Sequence, residues 1–155
     1  MQVKELMTVE VAYCSPEDSL AHAAGLMAAH SVSCLPVVEE DGRVVSVVTA
    51  RDLCVTCSEL TASLEDLCIA QAMSNELVWC SPDEVLWVVE QRMRRHHVWR
   101  LPVLKDEQLV GLLSLTDIAR AWGSLPARAD DVSADEVAST LAAVLERPIE
   151  LGRRS

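Results

Sequence analysis

The sequence predicts an α/β (α+β) fold in which two pseudo-symmetric β-α-β-β-α units pack as one module, followed by a C-terminal helix. The main observation is an internal repeat. Cys14-Ser15-Pro16 returns as Cys80-Ser81-Pro82, and Leu35-Pro36-Val37 returns as Leu101-Pro102-Val103, both 66 residues later. A second observation is size, because a unit of about 55 to 60 residues buries too little apolar surface to be stable alone. The two copies are therefore expected to pack together.

The repeat also predicts the domain organisation of the chain. It divides the chain into a first unit at 1–57, a linker at 58–68, a second unit at 69–122, and a C-terminal helix and tail at 123–155. The last helix is predicted to begin at Ser133. A serine followed three residues later by Glu136, ahead of apolar residues at helical spacing, is typical of a capped amphipathic helix.

Each unit is predicted to open with a short helical lead-in and a brief extended stretch. The Ser-Pro sequences at Ser15 and Ser81 then predict helix starts, with serine as cap, proline at the first helical position and an acid at the third. A strand through Leu-Pro-Val follows, and a turn leads to the third strand and the second helix. The lead-ins and extended stretches are Val3 to Met7 with Val9 to Cys14, and Ile69 to Met73 with Leu77 to Cys80.

Composition and charge exclude several classes of partner. The chain has 24 acidic and 13 basic residues, a formal net charge of −11. Because general nucleic-acid binding depends on neutralising phosphates with Lys and Arg, this charge argues against a nucleic-acid partner. The apolar runs are far shorter than the roughly 20 residues that span a bilayer, and residues 1–6 lack a signal-peptide pattern. We therefore expect a cytoplasmic protein with no membrane association and with reduced cysteines.

The third strand of each unit runs into a helix through a hydroxyl residue followed three positions later by an aspartate. The pairs are Ser114 with Asp117 and Thr49 with Asp52. A hydroxyl at a helix start caps free backbone N–H groups, and an acid at the third helical position suits the positive end of the helix dipole. The same end of a helix also binds phosphate. Capping alone would explain one copy, whereas two copies at matched positions indicate a site used twice.

Together these features resemble a pair of cystathionine-β-synthase (CBS) domains, a Bateman module, over about Val3 to Trp122. The shared pattern is Met-Thr/Ser, Ser-Pro, Leu-Pro-Val, and then Gly-apolar-apolar-Ser/Thr-x-x-Asp, the glycine being present in the second copy. The chain resembles a stand-alone CBS protein. The resemblance implies a regulatory sensor rather than an enzyme, a homodimer built on apolar helix faces, and a partner protein whose activity the module alters.

The resemblance also implies a class of ligand and the residues that bind it. CBS pairs bind adenosine-containing regulatory ligands such as AMP, ADP, ATP and S-adenosylmethionine, and no cofactor is required. The hydroxyl and the helix start meet phosphate, the aspartate accepts the ribose hydroxyls, and apolar residues flank the adenine. Carried over by position, the implied ligand-binding residues are Ser114, Asp117, Thr49, Asp52, Val11, Leu77, Val32, Val98, Arg100 and Gly111.

The two copies differ in ways that favour the second cleft. Gly111 corresponds to Ser46 in the first copy, where a side chain would hinder close approach of a ligand. Arg100 lies directly before the second Leu-Pro-Val, whereas Cys34 occupies the equivalent position in the first copy. The Ser114/Asp117 cleft is therefore predicted to be the more readily occupied of the two.

Two other interpretations remain open from the residues alone. A ligand-free dimeric scaffold protein would have clefts closed by Trp79, Trp99 and Ser46. A redox- or metal-responsive protein would use the CxxC sequence Cys54 to Cys57 together with Cys68. No nucleophile with a neighbouring base and orienting group is recognisable, which argues against catalysis. Packing explains the cysteines better than metal binding, so no metal site is expected.

Overall fold

Each repeat folds around an antiparallel hairpin whose second strand runs directly into a helix. The computed structural model describes residues 1–124 together with Ala138 and Thr140. It has a mixed α+β fold with two small two-stranded sheets, which confirms the predicted fold class. The elements are α1 (Leu20–His30), β1 (Cys34–Val38), β2 (Val44–Thr49), α2 (Ala50–Leu60), α3 (Ile69–Ala72), α4 (Leu86–His96), β3 (Arg100–Lys105), β4 (Gln108–Ser114) and α5 (Leu115–Ser124), preceded by a 3-10 turn at Val3–Glu5.

The predicted first strand of each unit is reduced to one bridged residue. Cys14 pairs in parallel with Val37, and Cys80 pairs in parallel with Val103. The Cys14 N–H donates to the Pro36 carbonyl at 3.1 Å, and the Cys14 carbonyl accepts from Val38 at 2.8 Å. Each extended stretch thus touches the edge of its hairpin at a single point before the chain turns towards the next helix.

The first helix of each unit begins later than its Ser-Pro sequence predicts. α1 begins at Leu20 with Ser19 as its cap, so the predicted start was wrong. In a helix begun at the Ser-Pro sequence, the Leu20 N–H would pair with the Pro16 carbonyl. Instead, the Leu20 N–H donates to the Leu67 carbonyl and the Pro16 carbonyl accepts from Ala70, both at 2.9 Å. These contacts with a distant segment hold the Ser-Pro sequence in a turn.

Two hydrophobic cores lie under the two hairpins, and each contains the lead-in of the other unit. Val3 is fully buried in the second core, together with Leu101 and Leu113. Leu67 and Ile69, from the segment that leads into the second unit, are buried in the first core. The boundaries of the two units along the sequence remain a prediction. Each lead-in packs in the core of the unit on the other side of these boundaries. The exchange ties the two halves together.

The two hairpins also meet directly at their turns. Arg43 of the first hairpin forms an isolated antiparallel bridge with Gln108 of the second. A third apolar cluster joins strands from both units. It consists of Val38, Val44 and Leu104, with Leu77 and Leu109 packed against them. The hairpins are therefore held side by side by both backbone pairing and apolar contact.

The remaining segments lie at the edges of the two units. α2 continues through Leu60 into the predicted linker and ends where Thr61 adopts a left-handed conformation with φ 50°. Of the predicted C-terminal helix only Ala138 and Thr140 are described, both in helical conformation, and the rest of that prediction lies outside the described residues. No helix within residues 1–124 is long and apolar enough to cross a membrane.

Candidate functional site

The first predicted hydroxyl–carboxylate pair forms a reciprocal cap at the start of α2. Thr49 is the N-cap residue, and its side chain accepts the Asp52 N–H at 3.2 Å. Asp52 Oδ2 accepts the Thr49 backbone N–H at 2.8 Å and the Thr49 hydroxyl at 2.7 Å. A capping box of this kind satisfies two of the four N–H groups that a helix start leaves without a helical partner.

The second pair repeats this geometry at the start of α5. The Ser114 N–H donates to Asp117 Oδ2 at 2.9 Å, and the Asp117 N–H donates to Ser114 Oγ at 3.1 Å. The Ser114 hydroxyl also donates to Asp117 Oδ2. Ser114 is 8 % exposed, whereas Asp117 is partly exposed. Both boxes therefore use the same carboxylate oxygen and present equivalent helix starts.

Arg100 lies between the two helix starts. Its Cα is directly opposite that of Ser114 in the β3–β4 register. Its guanidinium Nη1 donates to Ser33 Oγ of the first unit at 3.1 Å. Burial raises the pKa of the neighbouring Cys34 thiol above its ordinary value of 9.0, and the Arg100 guanidinium partly offsets that rise. Sequence comparison placed Arg100 in the second cleft, and the structure adds that it reaches the first unit.

The absence of a side chain at Gly111 leaves room for the N-terminal lead-in, which passes directly over this residue. A Cβ at this position would lie 2.9 Å from both Met7 Sδ and the Thr8 carbonyl oxygen. The corresponding Ser46 is fully buried, and its hydroxyl donates to the Ser74 carbonyl at 2.6 Å. A lead-in crosses the hairpin at each of these positions. The predicted advantage of Gly111 for ligand approach therefore loses its basis, and the preference for the second cleft depends on Arg100.

The four predicted adenine-flanking residues are all partly buried. Val32 packs against the first core and Val98 against the second. Leu77 packs instead on the cluster between the hairpins. The structure thus brings Leu77 to the junction of the two units, while Val32 and Val98 flank separate cores. For Val11 it gives partial burial and no core contact.

A cavity of about 320 Å³ adjoins Leu77 on the side of α4. Arg92 lies in its wall and forms an ion pair with Glu84 at 2.6 Å. Burial opposes ionisation of Glu84, but the hydrogen bonds from Arg92 and from the Ser81 N–H lower its pKa below the ordinary value. The lining residues are Glu76, Leu77, Val78, Trp79, Glu84, Arg92 and His96. The sequence signal for this wall was a basic residue, Arg92, near the end of an amphipathic helix.

The tryptophans predicted to close the clefts remain accessible. Trp79 is 44 % exposed and Trp99 is 39 % exposed, so neither is packed into a core. Ser46, the third residue of that interpretation, lies beneath the crossing lead-in. The scaffold interpretation therefore receives no support from the packing of these residues.

The cysteines fall into buried and accessible groups. Cys14 and Cys80 are buried at equivalent positions, and burial, with a smaller contribution from nearby Asp18 and Glu84 respectively, raises the pKa of each thiol to about 12. Cys54 on α2 is exposed, and all six thiols are unpaired. Among the described residues, no group of three or more His, Cys, Asp or Glu side chains is placed to hold a metal ion.

Both copies of the repeat match the same known domain. The profile of the CBS domain matches residues 3–58 and 65–124. The chain is 37 % identical over 119 residues to the CBS domain-containing protein YhcV of Bacillus subtilis (strain 168), which is 76 % of this chain and 82 % of that protein. It is 31 % identical over 122 residues to homoserine O-acetyltransferase of Methanococcoides burtonii, covering 78 % of this chain but 24 % of that enzyme. That similarity therefore concerns one part of the enzyme.

Solved structures of CBS proteins share the fold. Hypoxic Response Protein I with two coordinated zinc ions has a TM-score of 0.73 and 23 % identity, covering 81 % of this chain and 100 % of that one. The CBS domain pair of protein MJ0100, in complex with 5′-methylthioadenosine and S-adenosyl-L-methionine, has a TM-score of 0.69 and 23 % identity, covering 79 % and 96 %. Because the profile of the CBS domain matches both halves of the chain, the chain belongs to the CBS domain family and contains two tandem CBS domains.

Proposed function

We propose that this protein is a regulatory sensor that binds an adenine nucleotide or another adenosyl compound and thereby alters the activity of a partner protein. The observation that supports this proposal best is the pair of equivalent capping boxes at the starts of α2 and α5. The positive dipole end of a helix start attracts a phosphate, and a carboxylate beside it accepts hydrogen bonds from a ribose diol. The fold relative MJ0100, crystallised with two adenosyl compounds, supports the same ligand class.

The two functions of each box are chemically compatible. Asp52 and Asp117 make their capping contacts through Oδ2. We assign the other oxygen, Oδ1, to the ribose hydroxyls, so that binding leaves the helix cap in place. Partly buried apolar residues supply the surface for the base, which has no charge to satisfy. These are Val11 and Val32 in the first cleft and Leu77 and Val98 in the second.

The second cleft is the stronger candidate for a phosphorylated ligand. Arg100 is the strand partner of Ser114, so the backbone that carries this cation lies beside the start of the second helix. The strand partner of Thr49 is Cys34, a buried thiol whose pKa is raised by burial. A charge-assisted bond from arginine to phosphate is about twice as strong as a neutral one. AMP, ADP or ATP should therefore prefer the Ser114/Asp117 cleft.

Regulation would operate through the arrangement of the two units. A ligand that contacts both halves stabilises one arrangement over others, and a partner that distinguishes them completes the coupling. We further propose a homodimer that uses apolar residues on the outer helix faces. Val55 and Leu60 on α2 and Trp87 on α4 are 42 %, 52 % and 55 % exposed. Sedimentation at several protein concentrations tests the dimer, and a monomer throughout would contradict it.

Titration calorimetry with AMP, ADP, ATP and S-adenosylmethionine tests the proposed function. We expect at least one of them to bind, and Asp117→Ala to reduce its affinity about tenfold or more, because a hydrogen bond to a charged group is lost. Asp52→Ala should have a smaller effect. The two variants lose equivalent capping boxes, so similar melting temperatures would show that the difference concerns binding. Folded wild-type protein that gives neither heat nor a thermal shift with any compound would contradict the sensor function.

A further inference from the structure

We propose that Arg100 and Ser33 form a latch between the two CBS domains that is released when the phosphate of a bound ligand takes over the Arg100 guanidinium. The inference rests on the proposed function and adds a regulatory step to it. It identifies the phosphate, rather than the nucleoside, as the part of the ligand that changes the contact between the units.

One end of the latch lies at the second helix start. Arg100 and Ser114 are direct partners in the antiparallel β3–β4 pair. Side chains of directly opposite residues point to the same face of a sheet, with Cβ atoms about 4.5 to 5.5 Å apart. The Leu115 N–H, the first in α5, donates to the Trp99 carbonyl at 2.9 Å. The backbone next to Arg100 is therefore bonded to the helix start where phosphate would bind.

The other end lies at the first helix start. Arg100 Nη1 donates to Ser33 Oγ at 3.1 Å. The Ser33 carbonyl accepts the Ala50 N–H, the first in α2, at 2.9 Å. Ser33 is thus bonded to its helix start in the same way as Trp99, its counterpart in the repeat, is bonded to α5. The hydrogen bond between Arg100 and Ser33 therefore connects the two candidate ligand sites.

The latch is asymmetric because the repeat is asymmetric at this point. The residue equivalent to Arg100 is Cys34, which is buried and is the strand partner of Thr49. The Cys34 thiol lies beside the Arg100 guanidinium, but it provides no cation for the second helix start. The strand register places a cation, Arg100, opposite Ser114 and a thiol, Cys34, opposite Thr49, so the proposed coupling acts through Arg100.

Competition for Arg100 gives the latch its direction. In this structure the guanidinium bonds to a neutral hydroxyl and lies beside the neutral Cys34 thiol, and its hydrogen bond to Ser33 is exposed to solvent. A phosphate is an ionised acceptor that arginine binds in a two-pronged geometry, which makes it the stronger partner. A phosphorylated ligand in the second cleft therefore draws Arg100 away from Ser33. Adenosine, which lacks the phosphate, leaves the contact in place.

Calorimetry with AMP and adenosine on matched variants tests the latch. Ser33→Ala removes the competing acceptor, so we expect AMP to bind about two- to fivefold more tightly, the range of one exposed hydrogen bond. Adenosine affinity should stay the same. Arg100→Gln should weaken AMP about tenfold and adenosine far less. In the double variant Ser33→Ala should have no further effect, because the two residues act through one contact. Ser58→Ala, an exposed hydroxyl on α2, is the control for removing a serine.

The outcomes separate the latch from the proposed function. Binding of both compounds with an AMP-to-adenosine ratio that Ser33→Ala does not change would overturn the latch and leave the sensor function standing. Weaker AMP binding by Ser33→Ala would also overturn it, since Ser33 would then support the ligand rather than compete with it. Absence of binding by both compounds would overturn the latch, whereas the sensor function is overturned only if ADP, ATP and S-adenosylmethionine fail to bind as well.

Discussion

Cys14 and Cys80 occupy matched positions at the edge of the two hairpins. Each is at most 2 % exposed, and each thiol is directed at a proline carbonyl of the adjacent strand, Pro36 or Pro102. The equivalence of their surroundings explains why the repeat has the same residue at both places. A small polarizable side chain fills the site without requiring a strong hydrogen-bond partner.

The buried thiols predict a loss of stability at alkaline pH. Each has a pKa raised from 9.0 to about 12 by burial, so the unfolded chain loses these protons first. Their contribution is complete below pH 9 and falls as pH rises towards 12, by about 1 kcal/mol for each thiol at pH 10. Urea unfolding of the wild type at pH 8 and pH 10 measures this loss. A Cys14→Ala/Cys80→Ala variant should lose less between these pH values, and an equal loss would contradict the assignment.

At the scale of elements, the two lead-ins explain a glycine and a serine that sequence comparison linked to ligand binding. Thr8 forms an antiparallel bridge with Leu112, directly beside Gly111. On the other hairpin the Ser74 carbonyl lies over Ser46 and accepts its hydroxyl. One crossing requires space for the backbone, whereas the other accommodates a small side chain by hydrogen bonding. The same topology thus has two local solutions.

The crossing at Gly111 predicts that Gly111→Ala destabilises the protein. The added Cβ would lie 2.9 Å from the Thr8 backbone oxygen, and overpacking of this kind typically reduces the free energy of unfolding by about 1 to 3 kcal/mol. Gly25→Ala is the matched control, because a Cβ at that exposed position of α1 meets nothing within 4 Å. It should stabilise the helix by up to about 1 kcal/mol. Chemical denaturation of both variants gives the comparison, and equal effects would contradict the crossing.

At the scale of the whole molecule, exchange of the lead-ins makes the two CBS domains depend on each other. The N-terminal segment bonds to the second unit through Val3 with Glu84 and Lys4 with Pro82, at 3.0 and 2.9 Å. The segment that precedes the second unit packs in the first core. Neither domain therefore completes its core from the residues of its own hairpin and helices. Such an arrangement suits the proposed sensor function, because a shift of one unit would disturb the core of the other.

This exchange predicts that Val3→Ala weakens the second unit, which lies far from it in sequence. Val3 is fully buried there, and removing two methyl groups from such a site should lower the free energy of unfolding by about 2 kcal/mol. Val9→Ala, at a residue 68 % exposed, is the control and should have little effect. Amide hydrogen exchange localises the change: we expect faster exchange in β3 and β4. Acceleration confined to β1 and β2 would show that the lead-in belongs to the first unit.

Features that depend on local chemistry and on repetition could be predicted from the residues alone. The offset between the two Leu-Pro-Val sequences predicted two hairpins at matched positions, and both form. The pairs Thr49/Asp52 and Ser114/Asp117 form capping boxes because the hydroxyl, the carboxylate and the N–H groups they bind lie within four residues of chain. Local contacts of this kind need no knowledge of the rest of the molecule.

The places where distant segments meet could not be predicted in this way, because they depend on the packing of the folded chain. The helix after Ser15-Pro16 begins late because backbone groups near it bond to the segment around Leu67 and Ala70. Gly111 is needed because Met7 and Thr8 pass over it, and Arg100 reaches Ser33 because the two hairpins lie side by side. Each contact joins residues more than 45 positions apart. The repeat alone is equally compatible with lead-ins that pack on their own unit and with lead-ins that pack on the other unit. The choice between them depends on which core each apolar lead-in fills, a property of the folded chain.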